Sequence, residues 1–147
     1  MSLKKILMED LKDSMKNKDT IKKNTITMVR AAIQQEEIDN KKDLSEDDIL
    51  AIITKEVKER RHSIEEFKKG DRQDLVDESE KEIEILLKYL PEQLSETELE
   101  EIVIETIKSL GAESMKDMGK IMAAVMPKIK GRADGGMVNK IVKDYFK

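Results

Sequence analysis

The chain has 147 residues, of which 38% are hydrophobic and 41% charged, enough for one domain or two small ones with a modest core under a heavily solvated surface. It contains no cysteine, which excludes a disulfide framework, a thiolate nucleophile and a thiolate metal site. A formal net charge of -4 opposes indiscriminate adhesion to a polyanion, yet leaves room for a local basic face.

The first element is helical. Leu3, Leu7, Leu11 and Met15 recur at every fourth position with Ile6 beside them, predicting a helix over 3–16. The same stretch carries acids from its ninth residue and no long apolar run, so neither an export signal nor a membrane span is expected and the cytoplasm is the default compartment. After NKDT, a second helix is predicted over 21–38 with Ile26, Val29, Ala32 and Ile33 on its apolar face. Ser45 and Asp48 form a capping pattern. Behind them Ile49, Ile52, Ile53, Val57, Ile64 and Phe67 carry a third helix to about Lys68, and Gly70 stands where a C-cap belongs. Asp71 with Asp74 is expected to open a fourth helix, continued by Leu75, Val76, Ile83, Leu86, Leu87 and Leu90 and closed by Pro91.

The expected division falls here, into an N-terminal four-helix, bundle-like unit over 1–93 and a small three-helix unit over 94–147. The fold class is all-α. Ser95 and Glu98 again hold capping-box positions, opening a fifth helix over 96–110 that Gly111 stops. Ser114 with Asp117 is expected to open a sixth helix through Met118, Ile121, Met122, Val125 and Met126, limited by Pro127 and Gly131. Asp134 is the expected N-cap of a seventh, with Val138, Ile141, Val142, Tyr145 and Phe146 at helical spacing.

Charge separates these pieces. Residues 1–90 hold 19 bases against 22 acids, residues 91–117 two lysines against eight acids, and residues 118–147 seven bases against two acids. The last unit is therefore bipolar. Its basic part contains MPKIKGRADGGMVNKIV, where three of the six glycines and one of the two prolines fall within ten residues. A glycine at position 131 permits a left-handed turn that exposes Lys128, Lys130 and Arg132 at the start of the seventh helix. Free N–H groups at such a start favour a phosphate, whereas Asp134 as N-cap occupies some of those donors and repels an anion. A plain helix-to-helix turn with incidental lysines is the competing reading.

Gly119, early in the sixth helix, costs helix stability, and packing against another helix is the preferred explanation over a ligand. Met118, Met122 and Met126 form a stripe beside it, read as core before docking surface. His62, the only histidine, is read as a solvated surface residue. Adjacent acids such as Glu36 and Glu37 diverge around a helix, and metal-ligand spacing and a nucleotide loop are both lacking. No catalytic residue, cofactor or metal is assigned. With 3% aromatics, RNA would be read by shape and phosphate, not by base stacking.

Three stretches, RRHSIEEFKKGDRQDLVDESEKE, EILLKYLPEQLSETELEEIV and KDMGKIMAAVMPKIKGRADGGMVNKIV, resemble the GatB/YqeY family. The resemblance covers nearly the whole chain and suits its stand-alone members. Its most specific part runs through Gly119, Lys120, Met122, Pro127, Lys128, Lys130, Gly131, Arg132, Ala133, Asp134, Val138 and Asn139. A similar pattern closes the B subunit of the glutamine-dependent aspartyl/glutamyl-tRNA amidotransferase, in a helical tail that engages the body of the tRNA. The resemblance implies an accessory role linked to tRNA or to an amidotransferase complex, without the catalytic body that performs carbon-nitrogen ligation. The candidate RNA contacts are Lys120, Lys128, Lys130, Gly131, Arg132, Asn139 and Lys140. Arg60 and Arg72 are a possible second anion contact, against ion pairing with Glu36, Glu80 or Glu82 as the plainer reading. The alternative function is a protein-interaction adaptor whose C-terminal groove takes a partner helix.

Overall fold

The computed structural model describes residues 2–147. They form seven α-helices, α1 (Leu3–Lys16), α2 (Thr20–Asn40), α3 (Glu46–Lys69), α4 (Gln73–Leu87), α5 (Glu96–Leu110), α6 (Met118–Ile129) and α7 (Gly135–Tyr145), with a single 3-10 turn at Met115–Asp117 and no strand among the described residues. The chain divides into two compact units, one ending at Pro91 and the other spanning Glu92–Lys147. The division comes two residues before the boundary expected from the sequence, because Glu92 and Gln93 bond into the second unit.

In the first unit α1 packs on α2, α2 also meets α3 and α4, and α3 lies along α4. Leu7 and Leu11 from α1, Ile26, Val29 and Ile33 from α2, Ile49, Ile53 and Val57 from α3 and Leu86 from α4 share one core with Leu44. Each such side chain, fully buried, stabilises the unit by about 1.5–3 kcal/mol. The caps follow the sequence at α3, where Ser45 and Asp48 form a complete capping box, satisfying two otherwise orphan N–H groups. They depart from it at α4. The N-cap there is Arg72, with no side-chain cap bond, and Asp71 takes the left-handed conformation with φ 56°. Gly70 keeps φ -90°, so an aspartate, one of the few residues that tolerates this region, reverses the chain instead of capping the helix. Asp74 is occupied by Arg72. α4 also stops at Leu87, and Tyr89 and Leu90 bond to the carbonyls three residues back, the tightening expected where a proline follows.

Arg60 on α3 is buried and bonds Glu82 of α4 and Glu56, both at 2.6 Å, and the Glu56 carbonyl at 3.1 Å. Burial alone would lower its pKa, but the two carboxylates outweigh that and hold the guanidinium charged. Tyr89 donates to Asp10 at 2.5 Å, and burial first, then this carboxylate, raises its pKa well above the usual tyrosine range.

The second unit closes α5, α6 and α7 on one another. Leu99, Val103, Ile107, Ile121, Val125, Ile129, Val138 and Val142 form its core. Ser95 and Glu98 complete a second capping box, and Gly111, φ 65°, ends α5 as Ala112 N–H returns to the Ile107 carbonyl, a Schellman closure. Ser114 does not open α6. It caps the 3-10 turn, and Asp117 turns back to accept from Glu113 N–H, leaving α6 to start at Met118. α6 runs past Pro127 to Ile129.

Candidate nucleic-acid interface

The basic segment between α6 and α7 is a tight, anchored turn. Lys130 has φ -54° and ψ 121°, Gly131 has φ 72°, and Arg132 N–H closes on the Ile129 carbonyl at 2.7 Å. This is the type II pattern, whose third residue must adopt positive φ and is therefore glycine. The segment before α5 clamps it from the side. Gln93 Nε2 donates to the Gly131 carbonyl at 2.7 Å, Leu94 N–H to the Arg132 carbonyl at 2.9 Å, and Arg132 Nε to the Glu92 carbonyl at 3.2 Å. Gly131 is buried and Arg132 half-buried.

Two of the cations are positioned by neutral oxygens. Lys128, exposed on the last turn of α6, donates to Thr106 Oγ1 on α5 at 3.0 Å, and Thr106 in turn donates to the Ile102 carbonyl at 2.7 Å. Arg132 is held by the Glu92 carbonyl. Neither has a carboxylate within ion-pair distance among the described residues, so their orientation is fixed while their charge is not cancelled. Lys130 is exposed on the same turn. Asp134 caps α7 by accepting from Gly136 N–H at 3.0 Å, so the N-terminus of α7 is partly filled by the protein's own carboxylate.

The other expected contacts are spread more widely. Lys120 is exposed in the first turn of α6, and Asn139 and Lys140 on the outer side of α7. Lys143 follows Asn139 and Lys140 at helical spacing and is exposed with them. Arg72 is exposed and bidentate to Asp74 at 3.1 and 3.0 Å, a surface pair of at most about 1 kcal/mol that an outside anion can compete with. Arg60 has Glu82, one of the three glutamates expected for it, as its partner and offers no open face to an outside anion.

One sequence reading changes, at Gly119, and the reading of the methionine stripe as core holds for two of its three residues. Gly119 is exposed, and a side chain there would meet nothing within 4 Å, so helix packing does not account for it. Met118 and Met122 are half-buried against the core of the second unit, while Met126 lies over Gly135, with its sulfur 3.5 Å from where a Cβ would stand. The clamp by Glu92, Gln93 and Leu94 had no signal in the sequence, because it uses mostly backbone atoms far apart in the chain. Thr106 did have one: it falls among Val103, Ile107 and Leu110 on an apolar stripe, where a hydroxyl needs a partner.

Residues 4–146 match the family described as Yqey-like protein. The chain is 32% identical over 141 residues to Altered inheritance of mitochondria protein 41, mitochondrial, of Pyrenophora tritici-repentis, covering 94% of this chain and 77% of that protein. It is 34% identical over 148 residues to the protein of the same name from Lachancea thermotolerans, covering 96% and 79%. An uncharacterized protein of Schizosaccharomyces pombe is 30% identical over 94 residues, covering 64% of this chain and 76% of that one. The mitochondrial names of the first two overturn the cytoplasmic placement. That placement rested on the lack of a long apolar run, which bears on export and spanning segments and not on the choice between cytoplasm and mitochondrion.

Proposed function

The chain belongs to the Yqey-like family, and from that premise we propose that it is an accessory module without a catalytic centre of its own, docking folded tRNA, alone or beside an amidotransferase, through the clamped basic turn between α6 and α7. The observation that carries this reading is the way Lys128 and Arg132 are held. Both bond neutral oxygens, so the positions are set before an anion arrives and the charge remains available to it. Lys130 is exposed on the same turn, and Lys140 and Lys143 extend the basic surface along α7. The likeness of this segment to the tRNA-engaging tail of the amidotransferase B subunit supports the same reading.

A surface of this kind recognises phosphate and helix shape, since phosphate contacts position a protein without reading sequence. The acidic outer side of α5 limits binding to the correct face by repelling the polyanion elsewhere. The methionine stripe favours the adaptor alternative less, because Met118 and Met122 are engaged with the core, which leaves Met126 as the one exposed methionine of the three. The test is fluorescence anisotropy with a labelled folded tRNA and an unstructured strand of equal length, at matched salt. Tighter binding to the folded RNA is expected, with tolerance of base changes that preserve the fold. Equal affinity for both would reduce the surface to non-specific charge.

A further inference from the structure

A groove of about 650 Å³ runs between α1 and α2, remote in sequence from the basic turn. Its floor is Leu7, Leu11 and Ile33, and its width comes from Thr27 and Ala31, small residues on the wall that α2 turns toward α1. Met8 lies along it, 37% exposed. The volume is in the range of small-molecule sites, which combine apolar walls with a few placed polar groups.

The polar groups are arranged asymmetrically. At one end Lys4 is bonded to Glu37, whose other contact is the Leu44 N–H. Two helical turns away along α2, about 10 Å, stands Arg30. It is half-buried, lines the groove, and has no hydrogen-bond or ion-pair partner among the described residues. An arginine half-withdrawn from water beside an apolar floor is commonly paired, and its planar fork matches a carboxylate. We propose that this groove binds a medium-chain organic carboxylate, its head group on Arg30 and its apolar tail along Leu7, Leu11, Ile33 and Met8 toward the Lys4–Glu37 pair. Glu37 and Lys4 are bonded to each other, which leaves the fork of Arg30 to take the head group. Gln34, also on the wall, can donate an amide N–H to the same head group.

The experiment titrates the full chain, labelled at its methionine and isoleucine methyl groups, with decanoate below its micelle concentration and separately with decanol below its solubility limit. Saturable one-to-one shifts at Met8 and Ile33 with decanoate are expected, and weaker binding of the alcohol. Arg30→Gln should lose roughly tenfold in affinity for decanoate, as expected for a charge-assisted hydrogen bond, and nothing for decanol. Ala31→Phe, at an exposed position, should fill the groove and abolish binding without changing the helical content. Decanoate and decanol binding alike, an unaltered affinity in Arg30→Gln, or the absence of saturable shifts would overturn the proposal. So would methyl shifts that grow with protein concentration without ligand, which would make a second copy the occupant.

Discussion

Lys128 and Thr106 are joined across α5 and α6 by a bond of 3.0 Å in which a buried hydroxyl holds an exposed ammonium. The side chains come from helices that close a core only eight buried residues strong, yet the bond contributes more to position than to stability, because Lys128 loses nothing to water when it is released. Thr106→Val separates the two effects. The variant should keep its melting temperature within a few degrees, since the lost hydroxyl bond, about 1 kcal/mol, is offset by a buried methyl group. Affinity for folded tRNA should fall a few-fold with the salt slope unchanged, because the charge is still present but no longer held. Anisotropy titrations across a salt series measure both.

Charge removal should produce the opposite pattern. In the triple variant Lys128→Gln, Lys130→Gln, Arg132→Gln, the slope of log affinity against log salt should flatten by up to about 0.9 for each phosphate no longer neutralised, or about 0.7 on a locally single strand. Circular dichroism should be unchanged. Glu100→Gln with Glu101→Gln, on the exposed side of α5, should leave tRNA binding intact or strengthen it. Glu98 is spared in this control because it completes the capping box. An unaltered slope in the basic triple variant would reduce the turn to a connection between helices.

The glycines of this unit should respond in opposite directions to alanine. Gly131→Ala forces a side chain into φ 72°, costing about 1–2 kcal/mol, and should displace the Arg132 N–H that closes the turn. Gly119→Ala places a methyl group where nothing lies within 4 Å and should stabilise by about 0.5 kcal/mol, less than mid-helix because it sits in the first turn. Urea unfolding of the two single variants measures the difference.

In the first unit, Glu37 supplies a stability contribution that depends on pH. Its pKa lies below the ordinary 4.5, chiefly through Lys4 and then through the Leu44 N–H. A carboxylate with a depressed folded pKa stabilises fully above its unfolded pKa and loses that contribution as pH falls through the folded value. The melting temperature of the native protein should therefore exceed that of Glu37→Gln at neutral pH, with the gap closing as pH falls below 4.5. A gap independent of pH would mean that the Lys4–Glu37 pair contributes through packing alone.

Much of the fold was legible in one dimension. α1 and α5 begin and end where periodicity and caps placed them, because Ser95, Glu98 and Gly111 combine a local preference with a backbone geometry that few other residues satisfy. The start of α4 was misread, since an aspartate can either cap a helix or adopt the left-handed turn before one, and Asp71 does the second. Ser114 was ambiguous in the same way, capping a 3-10 turn instead of α6. At the basic turn, residue types and the glycine were readable. The oxygens that hold Lys128 and Arg132 were readable only in part: Thr106 needed a partner on its apolar stripe, but neither its hydroxyl nor the Glu92 carbonyl meets its cation until the second unit has closed. Gly119 shows the limit in the other direction: an unusual residue whose expected cause, a neighbouring helix, is not there.

The bonds from Glu92, Gln93 and Leu94 to Gly131 and Arg132 also have a temporal consequence. They close a loop that contains α5, α6 and the 3-10 turn, so chain entropy delays their formation until most of the unit is in place. By the same token they are among the first to open. The amide of Leu94 should exchange with solvent well before those of Val103 or Val125 in the core, at a free energy far below that of global unfolding. Each such opening loosens the clamp on the basic turn. A turn loosened in this way would no longer aim Arg132, and a molecule that binds only the ordered form should slow the exchange of Leu94 without touching it.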